Sequence, residues 1–323
     1  MINKRNILLT YFLILIEALI LFNSKIIINS VIESSKIFIF KIFPSLFPTM
    51  IVGLCLVKLN INSIIPKFIK KTFRKLFNFN DALTSIYIVS MITGTPSNSM
   101  YINEYIDKGL INEKKGIALL SCTHFINPLF VIGGVGIGVF NSSKVGFILL
   151  IMLYISNFIK AFLNRNNFSY IDKKIITQKS ESFIKVLISS IKSAMSSLLM
   201  ILGIVITFNI LVSLLVNIFD LPYIFNALLN GLLEMTGGII KLSSLDINIY
   251  LKVFIAYYFL SFGGICIWMQ TLSMLENKKI KYFRYFIFRV LWYICKDLLL
   301  YFHFHLSNQI WPMLQSVVHL LNK

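Results

Sequence analysis

The sequence predicts an all-α membrane protein that crosses the bilayer many times. Three observations carry that expectation. First, 57% of the 323 residues are hydrophobic and only 14% are charged, with a mean hydropathy of +0.80. A soluble domain is about 45–50% apolar and about 25% charged, because its surface must be covered with polar groups. Second, the apolar residues fall in runs of about 20, the length of a helix that spans the hydrocarbon core. An outer-membrane barrel would alternate at period two instead. Third, the 31 Lys and Arg residues outnumber the 13 Asp and Glu, giving a net charge of +18, and they collect in the breaks between runs. In a soluble protein this charge would suggest nucleic acid. Here it reads as the marking of cytoplasmic loops, with attraction of an anionic solute as a secondary effect. Cys55, Cys122, Cys266 and Cys295 lie inside apolar runs without metal-site spacing, so they read as small buried hydrophobes.

The elements follow in order. Residues 1–30 hold a first transmembrane helix. Its apolar run, 7–28, follows Lys4 and Arg5, is long for a signal peptide and lacks a small-x-small cleavage site, so it is read as retained. Glu17 inside it needs a partner, a proton or a protein-facing position. A second run, 37–57, returns. Lys58, Lys67, Lys70, Lys71, Arg74 and Lys75 then mark a cytoplasmic loop. Next comes a segment at about 82–106 whose middle, Thr93-Gly94-Thr95-Pro96-Ser97-Asn98-Ser99, is too polar to cross cleanly. Gly94 and Pro96 break a helix there. Lys108, Lys114 and Lys115 follow, placing both flanks inside and predicting a re-entrant hairpin. Irregular backbone survives at membrane depth only within protein or beside a cavity. The run 117–140, interrupted at Asn127-Pro128, goes out, and 145–163 returns, completing a first repeat over 31–163. The polar linker 164–185 holds Arg165, Lys173, Lys174 and Lys179.

A second repeat over 186–302 has the same plan: a long run at 186–219, two interrupted segments at 221–242 and 249–275, a basic loop with Lys278, Lys279, Lys281 and Arg284, and a crossing at 286–302. The tail 303–323, with Trp311 and Pro312, is expected at the interface. If 221–242 is a hairpin entering from outside, the second half has the first half's order upside down. Loop charge fits equally well if 221–242 crosses and 249–275 is re-entrant, and symmetry favours the first arrangement. Paired broken segments in corresponding halves point to a transporter with its solute site near the midplane. The expected fold is therefore an inverted-repeat transporter with about eight transmembrane helices plus two re-entrant hairpins.

Four polar constellations are candidates for the site. Gly94, Thr95, Pro96, Ser97, Asn98 and Ser99 at the first hairpin tip offer hydroxyls, an amide and free backbone N–H groups to an anionic or polar solute, against the plainer reading of a satisfied turn. Asn127-Pro128 either frees carbonyls and an amide for solute or is a proline kink. Glu234 and Thr236 put a carboxylate at membrane depth, a functional feature by default, unless it pairs with a lysine such as Lys192 or Lys241. Gly263-Gly264 with Gln270 combines a costly mid-helix break with an amide. Gly134 and Gly138 are expected as helix packing. His303 and His305 point to different helix faces, and His124 stands one turn before Asn127. No nucleophile–base pair, HExxH or Walker A pattern is present, so no enzyme, cofactor or metal site is expected. A coupling proton or sodium ion is left open.

Five stretches together resemble a known family: Phe43-Pro44-Ser45-Leu46-Phe47-Pro48, Gly94-Thr95-Pro96-Ser97, Asn127-Pro128-Leu129-Phe130-Val131-Ile132-Gly133, the run from Gly231 to Gly238 around Glu234, and Ser261-Phe262-Gly263-Gly264 with Gln270. In this order, over about 37–295, they resemble the sporulation integral membrane protein family YlbJ, also called SpoVV. That family carries the nucleoside-recognition Gate domain and is similar in architecture to concentrative nucleoside transporters. The resemblance implies a multi-pass protein of the mother cell's cytoplasmic membrane, or outer forespore membrane, that moves dipicolinic acid, a small aromatic dianion. Two departures stand out. Where the family usually has Ser-Gly-x-Lys after the hairpin proline, this chain has Ser97-Asn98-Ser99-Met100, and it has Thr236-Gly237-Gly238 where Thr-Asn-Gly is frequent. The expected partners are a small anionic solute and the lipid bilayer, with no nucleic acid. A homo-oligomer is left open. The rival readings are a nucleoside or nucleobase transporter of the same fold and a non-transporting scaffold.

Overall fold

The computed structural model describes residues 4–168 and 182–275. The chain divides into two units, Met1–Lys279 and Ile280–Lys323. The second unit lies outside the described residues. So do the expected crossing at 286–302, the basic loop, the interfacial tail with its histidines, Cys295, and Lys173, Lys174 and Lys179 of the linker.

Every regular element among the described residues is helical. Four stretches are long and apolar enough to cross a membrane: Ser24–Lys58, Ser143–Leu163, Phe183–Ile218 and Ile249–Ser273. The expected N-terminal crossing divides differently. Helix α1 spans Lys4–Phe22 and α2 spans Ser24–Ile37. After α2 the chain does not turn back. It runs through a π-helical turn, Phe38–Ile42, into α3, Phe43–Lys58. The polar stretch expected to be a loop stays helical because its hydroxyls find partners. Ser34 and Ser35 donate to the carbonyls of Ser30 and Val31, and Ser30 donates to Ser213 Oγ at 2.6 Å on the long helix α9, Phe183–Ile218. Within α3, Ser45 and Thr49 bond carbonyls one turn back, a common accommodation where prolines, here Pro44 and Pro48, remove backbone donors. Glu17 is exposed on α1, which leaves a partner or a proton of the three alternatives.

The basic segment after Lys58 folds as an amphipathic helix, α4, Lys67–Phe77. Its Phe73 and Phe77 join an aromatic cluster with Phe79, Tyr87 and Phe158. Helices α5, Asp81–Thr93, and α6, Ser97–Asp107, follow. They fold back on each other about Gly94-Thr95-Pro96, with a cis Thr95–Pro96 bond. Helix α7, Glu113–Cys122, gives way to a non-helical segment at 123–127. The chain then resumes helix at 128 and passes into a π-helical segment, Phe130–Ile137, which packs on α8, Ser143–Leu163. The close approach there is Gly136 to Gly146. Gly134 faces the Phe130 ring, so the expected Gly134–Gly138 pair is not the packing contact.

The two broken segments of the second half take different paths. Helices α10, Tyr223–Leu233, and α11, Met235–Ser243, lie against each other. A Cβ on Gly238 would stand 2.3 Å from the Gly231 Cα, so the two arms touch backbone to backbone about a tip at Glu234. Helices α12, Ile249–Phe262, and α13, Gly264–Ser273, instead form one stretch broken at Gly263. The fold-back segment is thus 223–243, and 249–273 is the interrupted one.

Candidate functional site

The first hairpin tip sits on the first helix break. Gly94 has φ +79°, and a Cβ there would lie 2.4 Å from the Asn127 backbone nitrogen. Only a residue without a side chain allows both that conformation and that approach. The Thr95 N–H donates to the Phe125 carbonyl at 2.6 Å. Asn98 donates to the Thr123 carbonyl and hydroxyl at 3.1 and 3.0 Å. Carbonyls of the non-helical segment 123–127 are thus met by the tip.

Asn127 is the joint of this arrangement. Its Oδ1 accepts from the N–H groups of Leu129 and Phe130 at 2.9 and 3.2 Å, which makes it the N-cap of the helix that Pro128 opens. Its Nδ2 reaches the Ser45 carbonyl, the Thr49 hydroxyl and the Thr93 carbonyl at 3.3, 2.9 and 3.0 Å. One side chain thus ties the break to α3 and to the end of α5. The proline starts a helix and does not kink one, and the amide bonds groups on neighbouring elements.

The second tip sits on the second break. Gly263 and Gly264 have φ +80° and +67°, and a Cβ on Gly264 would stand 2.9 Å from the Leu233 carbonyl oxygen. Glu234 is buried, and its two carboxylate oxygens accept from the N–H groups of Thr236 and Gly237 at 2.9 and 2.7 Å. It is the N-cap of α11, where a negative charge also complements the helix dipole. Lys241 donates to Asn226 Oδ1 at 2.9 Å, and Glu234 forms no ion pair among the described residues. Backbone capping stands in place of the lysine pair that was the plainer alternative in the sequence. Losing a cap costs about 0.5–2 kcal/mol. Glu234→Ala should therefore lower the thermal unfolding midpoint in detergent, with Glu234→Gln between it and wild type. Equal midpoints for the two variants would refute the cap.

Both tips, the first break and the helix that follows the second break border one cleft. Of the residues expected at the site, Thr95, Pro96, Asn127, Glu234, Thr236 and Gln270 line it. Gly94, Gly263 and Gly264 shape the tips and breaks, and Pro128 opens a helix. Ser97, Asn98 and Ser99 are buried but do not line the cleft. Asn98 is spent on Thr123, Ser99 Oγ lies 3.5 Å from Asn98 Oδ1, and Ser97 is buried beside Tyr101. Gln270 Nε2 lies 3.1 Å from Cys266 Sγ. No lysine or arginine lines the cleft among the described residues. The remaining wall comprises Ser45, Met235 and apolar side chains such as Ile42, Leu46, Phe130, Ile201, Val205 and Ile267, none singled out from sequence. Ser45 had a signal in the two prolines that bracket it. The apolar wall had none, because lipid-facing and cleft-facing positions of a membrane helix share one composition.

Four helices begin around this cleft: α6, the segment that opens at Pro128, α11 and α13. Asn127 and Glu234 cap two of them, whereas α6 and α13 have no side-chain cap. At α6 the N–H groups of Asn98 and Ser99 donate instead to the carbonyls of Gly94 and Pro96.

Described residues that are all helical in their regular elements, with four stretches long and apolar enough to span a bilayer, define an integral membrane protein. The chain is similar to the sporulation integral membrane protein YlbJ of Bacillus subtilis (strain 168), 23% identical over 288 residues that cover 77% of this chain and 71% of that protein. The match agrees with the family resemblance read from the sequence. No family model matches the chain, and no solved structure matches it.

Proposed function

We propose that the chain is a transporter of sporulation. It carries a small anionic solute, foremost dipicolinic acid, through the mother cell's cytoplasmic membrane, the outer forespore membrane. The observation that carries this reading is the convergence of two hairpin tips, each seated on a helix break, on one cleft. Breaks cost backbone hydrogen bonds at membrane depth, and a scaffold would have no use for a pair of them facing each other. Supporting the inverted-repeat arrangement, the order crossing, hairpin, broken stretch recurs in both halves as α3, α5–α6, α7 with its π-helical continuation, and then α9, α10–α11, α12–α13. We read the two hairpins as re-entrant and the full chain as about eight crossings. The solute moves unchanged, so the reading is of transport and not of catalysis.

Two features of the cleft suit a flat dianion. Apolar walls with Phe130 at one side accept a ring, and Thr95, Thr236 and Gln270 offer polar contacts to its carboxylates. A second reading is favoured by another observation. No cationic side chain lines the cleft and a carboxylate does, which suits a neutral nucleoside or nucleobase. The test is uptake by proteoliposomes of the purified chain, comparing labelled dipicolinate with uridine, with and without a proton gradient. Dipicolinate uptake competed only by related dicarboxylates is the expected result. Uridine uptake alone would establish the second reading. Uptake of neither by folded protein would overturn transport of both.

A further inference from the structure

The segment between α3 and α5 holds no acidic residue from Lys58 to Asn80, and five basic residues lie in α4 itself. At 100° per residue these five occupy one continuous sector. Ile69, Phe73, Leu76, Phe77 and Phe68 occupy the other, the pattern of a helix lying in an interface plane. The structure divides the apolar sector. Phe77 is buried and Phe73 rests on Tyr87, so that edge is used by the fold. The opposite edge is not: Phe68 is 70% exposed and Leu76 42%, with Ile64 beside the helix at 75%.

The basic sector is divided in the same way. Lys70 and Arg74, next to the buried edge, reach Asp81 at 3.5 and 3.1 Å. Lys67, Lys71 and Lys75, next to the exposed apolar edge, are exposed and form no ion pair among the described residues. Three lysines in a row above bare Phe68 and Leu76 make an amphipathic strip that water suits poorly and a bilayer surface suits well. The helix also sits at bilayer-surface height. It begins nine residues after the Ser24–Lys58 span ends. Its Phe77 meets Phe158 near the end of the Ser143–Leu163 span, and Asn78 donates to the Arg165 carbonyl just beyond that span.

We infer that Lys67, Lys71 and Lys75 of α4, with Phe68 and Leu76 seated among the acyl chains, form a binding surface for the headgroups of anionic phospholipid. Charge complementarity selects the occupant. The strip carries three positive charges and no negative one, and each lysine near an anionic surface contributes on the order of five-fold in affinity. The inference does not depend on which solute the cleft carries, or on transport at all.

The test uses the full chain, purified in mild detergent and offered phosphatidylglycerol or phosphatidylcholine, with retained lipid counted by native mass spectrometry. Wild type should retain phosphatidylglycerol in preference, and added salt should weaken the preference. K67Q/K71Q/K75Q should lose the preference by about ten-fold or more while retaining phosphatidylcholine as wild type does. Inorganic phosphate should not compete, because the apolar edge contributes to binding. An unchanged preference in the triple variant would overturn the inference, as would full competition by phosphate or selective capture of a second copy of the chain in place of lipid. A conservative probe covers the case of a triple variant that does not fold. Phe68→Trp in liposomes should gain fluorescence, relative to wild type, that brominated phosphatidylglycerol quenches more than brominated phosphatidylcholine. Equal quenching by the two, or none, would count against the assignment.

Discussion

Asn127→Asp should destabilise the protein at least as much as Asn127→Ala, although the aspartate keeps the cap. An Asp side chain can still accept from the N–H groups of Leu129 and Phe130, and capping alone is worth about 1 kcal/mol. What it loses is the donor half. The Asn127 amide nitrogen faces three oxygens, those of Ser45, Thr49 and Thr93, in a buried position. A carboxylate oxygen there would meet three acceptors and offer them nothing. Leaving buried acceptors unpaired costs about 1–3 kcal/mol, and an uncompensated buried charge costs about 3–5 kcal/mol. The expected loss for Asp is therefore roughly 3–5 kcal/mol, against about 2–4 for Ala, which drops the cap as well. Unfolding midpoints in detergent decide the matter. An Asp variant more stable than the Ala variant by the value of a cap would mean that the three amide bonds contribute little.

Gly94→Ala should unfold or uncouple the first hairpin, while Gly203→Ala should be neutral or stabilising. At Gly94 the left-handed φ costs a side-chain-bearing residue about 1–2 kcal/mol. The new methyl would also press on the Asn127 backbone nitrogen and Cα at 2.4 and 2.8 Å, and overpacking adds about 1–3 kcal/mol. Backbone atoms held by the Asn127 network have nowhere to go. At Gly203, inside α9, nothing lies within 4 Å of where the alanine methyl would stand, and alanine in a helix interior gains about 0.5–1 kcal/mol over glycine. The pair separates a generic response to Gly→Ala from the tip-to-break contact. Similar midpoints for the two variants would show that the tip does not press on the break.

The places where the helices stop were legible in the sequence. Gly94 and Pro96, Asn127-Pro128, Glu234 and Gly263-Gly264 are the positions where backbone conformation, a missing N–H or a capping side chain acts within a few residues, so each announces itself locally. The continuity of Ser24–Lys58 was not legible. Its Ser30, Ser34 and Ser35 look like loop residues until their hydroxyls are seen to bond the preceding turn and Ser213 of a helix far along the chain. Nor was the role of Glu234. A carboxylate at membrane depth demands a partner, and lysines were the ready candidates, whereas the structure meets the demand with two backbone N–H groups of the helix that follows.

Composition and local chemistry by themselves determined that this is a helical membrane protein, where its helices break, and which polar residues sit at the breaks. These follow from hydrophobic run length and from residue-level backbone preferences, and both are local. Tertiary structure decided which broken segment folds back and which runs on, because loop charge is the same for either path. It also decided which polar side chains line the cleft. Asn98 and Asn127 are both amides at a break, but one is spent on Thr123 and the other reaches the cleft wall while tying three elements together. That difference depends on which acceptors the packed neighbours present, and no spacing along the chain records it.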